Sequence, residues 1–255
     1  MEVNLKLAKD ISAWIRNYAK QNNLKTLVVG VSGGVDSAVT STLCAMTGMP
    51  VVAVNLPLHS RDNNTNMSNS HLLWLVENYH NVRTNIINMD KVYDSFKKSL
   101  SNFENDLGYA NSKSRLRMVA LYQIAAATGG IVVGTGNKVE DFGVGFFTKY
   151  GDGGVDISPI ADLTKTQVRQ LAIDLKISNQ IIDAPPTDGL WEDSRTDEQQ
   201  IGASYEELEW AMKYIEENQV YSLTNRQKEV IIIYNKFNKA NAHKMKSIPV
   251  FKVSS

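Results

Sequence analysis

One run of the chain, Gly30-Val31-Ser32-Gly33-Gly34-Val35-Asp36-Ser37, carries the most specific chemistry. Its glycines let a backbone approach an anion closely, and a helix beginning there would offer unpaired N–H groups and a positive dipole end. The hydroxyls of Ser32 and Ser37 add donors. Asp36 stands where a phosphate cradle usually places a base. A bare carboxylate beside phosphate is repulsive, so a divalent cation between them is the physical reading. Two familiar phosphate loops are excluded. A Walker loop needs Gly-Lys where Val35 and Asp36 stand, and the dinucleotide fingerprint that Gly134-Thr135-Gly136 would open meets Val139 at its third glycine. The bland rival is a tight strand-to-helix turn in which Asp36 merely favours the helix N-terminus.

The flanking segments suit the phosphate reading. Thr26 to Val31 is a short apolar run rich in β-branched residues, as expected of a strand buried on both faces, and Val35 to Thr47 resumes as a helix stopped by Gly48 and Pro50. Leu7, Ile11, Trp14, Ile15 and Tyr18 form the apolar stripe of an earlier helix. Further strands are expected at Val51 to Leu56, Val82 to Ile87 and Gly130 to Val133. Helices are expected from a cap at Asn66 or Ser68, at Val92 to Leu100, Ser112 to Thr128, Lys165 to Leu175, Tyr205 to Glu217 and Thr224 to Asn238. The glycine-dense stretch from Gly134 to Ile160 reads as a long functional loop region, Pro185 to Gly202 as a mobile loop, and the residues after Asn238 as an irregular tail. Alternating strands and helices imply an α/β fold, a doubly wound parallel sheet, with residues 1–255 as one domain.

Composition narrows the class. With Lys+Arg 27 against Asp+Glu 27 the net charge is zero, which removes the broad basic field of a general nucleic-acid binder. The single cysteine, Cys44, excludes a CxxC pair and reads as a small buried helix residue. No apolar run reaches membrane-spanning length and the first residues lack a signal-peptide core, so a cytoplasmic protein without membrane or nucleic-acid partners is expected.

The Ser-Gly-Gly-Val-Asp-Ser core of the loop resembles the pyrophosphate loop of ATP pyrophosphatases, which cleave ATP between the α and β phosphates. Within that superfamily, several blocks resemble the ammonia-dependent NAD synthetases. They are Lys113-Ser114-Arg115-Leu116-Arg117-Met118, Gly134-Thr135-Gly136-Asn137-Lys138 with Glu140, the run Gly145 to Asp156 containing Phe146-Phe147-Thr148-Lys149-Tyr150-Gly151-Asp152-Gly153-Gly154, Leu163-Thr164-Lys165, Pro186-Thr187 and His243-Lys244. The resemblance spans nearly the whole chain. It implies an adenine nucleotide alpha hydrolase-like (Rossmann-like) fold with additional C-terminal helices, and ATP-dependent amidation of deamido-NAD by ammonia. It further implies Gly30 to Ser37 as the ATP loop, with Asp36 and Lys165 catalytic. Thr135, Lys165 and Thr187 match ATP-binding positions, and Asp36 and Glu140 match ligands of Mg²⁺. Arg115, Lys149, Asp156, His243 and Lys244 match positions that hold deamido-NAD. Val35 replaces a frequent Gln, a modest change where backbone groups bind. An extra residue between Thr135 and Lys149 leaves Glu140 and Asp141 both open as the second metal acid, with Glu140 at the family's distance from Thr135.

Each position taken singly has a plainer role: an exposed helix arginine, turn hydroxyls, solvated charges in a tail. Only about thirty residues precede the loop and none is a nucleophilic cysteine, so free ammonia rather than a glutaminase domain is the expected nitrogen source. Asp152, Asp188 and Asp193 are candidates to take the ammonium proton, and the resemblance implies a homodimer. The rival readings are another amidating or thiolating member of the superfamily, which for thiolation would want more cysteines and a basic face, and an ATP-sensing module without turnover.

Overall fold

The computed structural model describes residues 2–59, 62–187, 189–190, 196–217 and 222–253. Helix α1 (Glu2–Gln21) leads into β1 (Thr26–Gly30), α2 (Val35–Met46), β2 (Val51–Asn55), α3 (Asp62–Asn78), β3 (Val82–Ile86), α4 (Asp90–Ser99), α5 (Asp106–Thr128) and β4 (Gly130–Val132). A π-helical segment, Lys138–Val144, follows, then α6 (Lys165–Asp174), α7 (Asn179–Ile182), α8 (Asp197–Ile201), α9 (Tyr205–Glu216) and α10 (Asn225–Met245). The four strands among the described residues are all parallel, in the order β3-β2-β1-β4, with Leu27 opposite Val51 and Ile131. Val133 adds a parallel bridge to Ile157. Because the chain runs from β1 outward on one side and returns to β4 on the other, the strand order reverses at β1. Ligands of doubly wound sheets bind beyond the carboxyl end of the strand at such a reversal.

Alternation along β1 sorts its side chains to two faces. Leu27, Val29 and Val31 pack with Ile15 of α1, Val39 and Leu43 of α2, Leu75 of α3 and Leu171 of α6. Val28 points the other way, into a cluster with Tyr93 of α4 and Met118, Leu121 and Ala125 of α5. A third core joins Val139 and Val144 of the π-helical segment to Tyr205 and Leu208 of α9 and Val230 and Tyr234 of α10. Of the expected stripe on α1, Ile15 is fully buried but Trp14 remains 47% exposed, because Ala8 and Ala19 complete the inward face instead. Cys44 is buried, and burial pushes its thiol up to about 12. None of the described helices is long and apolar enough to cross a membrane.

Several boundaries differ from the sequence reading. Helix α3 begins at Asp62, and Ser68 is not its cap; its hydroxyl donates to the Val31 carbonyl at 2.7 Å, tying α3 to the glycine loop. Helix α5 starts earlier than Ser112 because Asn105 caps it, accepting from Gly108 N at 2.7 Å. The stretch read as a mobile loop from Pro185 to Gly202 contains α8, started by a Thr196/Gln199 capping box. Helix α10 runs on to Met245, so His243 and Lys244 sit in its last turn and not in an irregular tail.

The α2–α3 contact gives a pH prediction. Ser41 donates its one hydroxyl hydrogen to the Ala38 carbonyl, so at 3.0 Å it must accept from Nε2–H of buried His71. Burial lowers His71 from 6.5 to about 4, so the unfolded chain binds more protons between those values and stability falls as pH drops through that window. That dependence amounts to about 3 kcal/mol. Urea titrations at pH 7 and pH 4.5 should show the loss, and His71→Gln should flatten it; an unchanged slope would contradict the assignment.

Candidate active site

The glycine run lies where the strand order reverses. Gly33 has φ +92°, a left-handed conformation that favours glycine, and it swings the chain from β1 into α2. Val31 N donates to the Val54 carbonyl at 2.8 Å, holding the loop's entrance to the end of β2. Ser37 braces the turn, with its hydroxyl donating to Gly34 O at 2.9 Å and accepting from Ser32 N at 3.1 Å. The Ser32 and Ser37 hydroxyls stand 3.1 Å apart, and Ser32 Oγ also accepts from Gly34 N at 3.3 Å. Helices α6, α8, α9 and α10 each start with a side-chain capping box, whereas α2 starts at Gly34 with no side-chain cap. The first N–H groups of α2 therefore face outward from a short cradle, an arrangement suited to an anion.

Three charged groups converge behind that cradle. Lys165, the first residue of α6, lies 2.5 Å from Asp36 Oδ2 and 2.9 Å from Glu140 Oε1. Its side chain is 4% exposed and each carboxylate only 16%, so water screens the trio weakly. Burial raises Asp36 to about 6 against the pull of Lys165. Burial also works against the ionised Glu140, but Lys165 and the Tyr205 hydroxyl overcome it and hold that carboxyl below its ordinary value. Lys165 is raised, since the two acids outweigh its desolvation. Two carboxylates and one ammonium leave a net negative charge. Asp36 Oδ1, moreover, is buried without a hydrogen-bond partner among the described residues. An unpaired carboxylate oxygen beside an anion cradle, with a second acid next to it, fits the hard-oxygen donors that Mg²⁺ would take, with phosphate and water needed to complete the set.

The π-helical segment is shaped to deliver Glu140. Asn137 caps it, its Oδ1 accepting from Val139 N and Glu140 N at 3.1 Å. Gly136 leaves room for Asp141, whose carboxylate would sit 1.8 Å from a Cβ at that position. Between the two open candidates, Glu140 is the one bonded to Lys165, while Asp141 is driven well above the usual carboxylate range by burial and by Glu140, Asp152 and Asp36. Tyr205 was not singled out in the sequence. It is fully buried, donates to Glu140 Oε1, and holds its ring 4.8 Å from Lys165 Nζ.

A second group of expected residues gathers around the loop between Gly145 and Gly154. Arg115 Nε donates to Lys149 O at 3.2 Å, Lys149 Nζ to His243 O at 3.0 Å, and Lys244 Nζ to Phe147 O at 2.8 Å and Gly145 O at 3.0 Å. Three cationic side chains, from α5, this loop and α10, and the backbone of His243 thus share one neighbourhood. Asp152 closes the loop from inside, accepting from Ser114 Oγ at 2.6 Å and Thr148 N at 3.0 Å, and burial raises its pKa. Asp156 stands apart from them, its carboxylate accepting from Val132 N at 2.8 Å and Tyr122 Oη at 3.0 Å. Thr135 lies half-buried between β4 and Asn137, and Thr187 is exposed in a turn where its hydroxyl accepts from Gly189 N at 3.2 Å. Asp188 and Asp193 fall outside the described residues.

Known proteins resemble this chain over most of its length. A family model described as NAD synthase matches residues 7–248. An NH(3)-dependent NAD(+) synthetase of Saccharolobus solfataricus is 35% identical over 94% of this chain and 86% of its own, and one of Carboxydothermus hydrogenoformans is 38% identical over 77% and 80%. Among solved structures, the NMN synthetase of Francisella tularensis superposes with a TM-score of 0.87 at 28% identity, covering 98% of this chain and 99% of that one. The NH3-dependent NAD synthetase of Campylobacter jejuni superposes with a TM-score of 0.80 at 25% identity, covering 98% and 99%. The chain therefore belongs to the NAD synthase family.

Proposed function

We propose that the chain converts deamido-NAD to NAD, using ammonia as nitrogen donor and cleaving ATP to AMP and pyrophosphate. The observation that carries the reading is the uncapped glycine cradle with the unpaired Oδ1 of Asp36 at its edge. A carboxylate cannot expel oxide when an amine attacks, so its oxygen first attacks the α-phosphorus of ATP. The bridging P–O bond to the β-phosphate breaks, and pyrophosphate departs with the electron pair. Ammonia then adds to the carbonyl carbon of the acyl-adenylate, the C–O bond to AMP breaks, and the nitrogen loses a proton to a nearby base.

In-line transfer of this kind relies on positioning and charge neutralisation. Backbone N–H groups from Gly33 to Ser37 and the Ser32 hydroxyl hold the departing pyrophosphate. Asp36 and Glu140 would hold Mg²⁺, which offsets charge on the phosphates when bound. Lys165 steadies both acids, and Thr135 and Thr187 contribute to the ATP side. Arg115, Lys149 and Lys244 offer cations and His243 a ring donor to the dinucleotide's own pyrophosphate, with Asp156 as an acceptor for its hydroxyls. The likeness to the NMN synthetase of Francisella tularensis favours one second reading, in which the acid is the mononucleotide. Incubation with ATP, Mg²⁺, ammonium and either acid should give NAD, AMP and pyrophosphate in equal amounts from deamido-NAD. Faster turnover of the mononucleotide would support the second reading, and ADP would overturn both. We also infer a homodimer. Leu107 and Val119 of α5, 59% and 66% exposed, are apolar surface that a second copy would cover. A sedimentation mass of 28.4 kDa rather than twice that would contradict it.

A further inference from the structure

We propose that Tyr205 is a positioning residue that ties Glu140 to the Pro186–Thr187 segment through Asp197. The proposal rests on Glu140 being an acid of the cation site. Tyr205 is fully buried at the start of α9, and its hydroxyl has two carboxylates within reach, Glu140 Oε1 and Asp197 Oδ2, the latter at 3.3 Å. Asp197 is itself buried and opens α8. Its backbone N–H donates to the Pro186 carbonyl at 3.0 Å, one residue before Thr187. A second bond, from Tyr205 N to Glu198 Oε1 at 3.0 Å, fixes α8 against the same tyrosine. The ring meanwhile packs 4.8 Å from Lys165 Nζ, so one side chain touches both groups that surround Asp36 across the cradle.

The chemistry of the contact makes it more than packing. A phenol has one hydrogen to donate, and two carboxylates face it. The shorter contact, Glu140, takes that hydrogen in this structure. Asp197, in reach on the other side, anchors the hydroxyl, so Glu140 keeps the orientation in which it would hold a cation. One hydroxyl thereby links the acid of the π-helical segment to Asp197, whose backbone N–H holds the residue before Thr187.

Tyr205→Phe keeps the ring and its packing while removing the hydrogen. Binding of α,β-methylene ATP, followed by calorimetry at a series of Mg²⁺ concentrations, needs no turnover. Loss of a bond to a charged group should raise the Mg²⁺ requirement for half-maximal binding about tenfold. Asp197→Asn should shift it in the same direction, and the double variant should match Tyr205→Phe alone, because the two act through one contact. A Tyr205→Phe protein of lowered melting temperature but unchanged Mg²⁺ requirement would overturn the proposal, as would two effects that multiply. Glu140→Gln in the same titration separates the layers. If it leaves the Mg²⁺ requirement unchanged, the cation assignment itself fails; if it raises the requirement and Tyr205→Phe does not, only the coupling fails.

Discussion

Asp36→Asn abolishes synthesis, by about 10³-fold in kcat/KM, while the protein remains at least as stable as the parent. The two halves of this expectation have separate causes. Under the proposed function, catalysis needs the carboxylate because Asp36 would hold the cation, and an amide supplies neither the charge nor the same donor strength. Stability does not need it. Burial raises Asp36 to about 6 even with Lys165 at 2.5 Å, so above pH 6 the folded protein holds a charge that the unfolded chain would carry more comfortably. Between the unfolded and folded values the native state binds more protons, so this group's contribution makes the protein less stable as pH rises through that window. A neutral isostere removes that burden, and Glu140 keeps Lys165 paired. Denaturant titration at pH 7.5 should therefore place the variant within about 1 kcal/mol of the parent or above it. Near-normal turnover would remove the cation argument, and a collapse of stability would show that Asp36 serves the fold.

Lys165→Met reverses the pattern. Removing the one ammonium leaves Asp36 and Glu140 buried side by side, and breaking a buried pair in this way costs about 3–5 kcal/mol. Both acids then have folded pKa values above their unfolded ones, so the native state takes up protons more readily. The deficit should be largest above pH 6 and shrink as the pH falls, the opposite of the His71 contribution. Turnover should be lost together with stability. The check is a pair of urea titrations at pH 7.5 and pH 5.5; a deficit that is equal at both would mean that the acids are not the cause.

The strand–loop–helix that forms the cradle was legible because its signals are local. An apolar β-branched run, a glycine pair and a small-residue helix follow one another between Thr26 and Thr47 and need no distant partner to be understood. The same holds for Lys165, which follows Thr164 of a capping box and so must open α6. Convergence of Asp36 and Lys165 is a different matter, since 129 residues separate them and only the topology brings them together; here resemblance to a family supplied what periodicity cannot. Tyr205 escaped notice for the same reason. It looks like one more apolar residue of an amphipathic helix, and its role depends on the third core, which packs α9 against the π-helical segment. That segment was hidden by Gly143 and by its short length. Helix α8 is a case where the signal was present: Thr196 and Gln199 form a capping box, but the surrounding acids and prolines read as loop. Ser68 was misread because a hydroxyl near a helix start usually caps it, whereas this one reaches back to Val31.

The claim that everything else serves is that the acid substrate is activated by attack on the α-phosphorus while pyrophosphate leaves from the glycine cradle. Deamido-NAD labelled with ¹⁸O in its carboxylate, turned over with ATP, Mg²⁺ and ammonium, reads that step directly by mass spectrometry of the nucleotide product. One labelled oxygen should pass to AMP for each NAD formed, with none in pyrophosphate. The second labelled oxygen stays in the amide of NAD; AMP without label, or label in inorganic phosphate alongside ADP, would contradict the account.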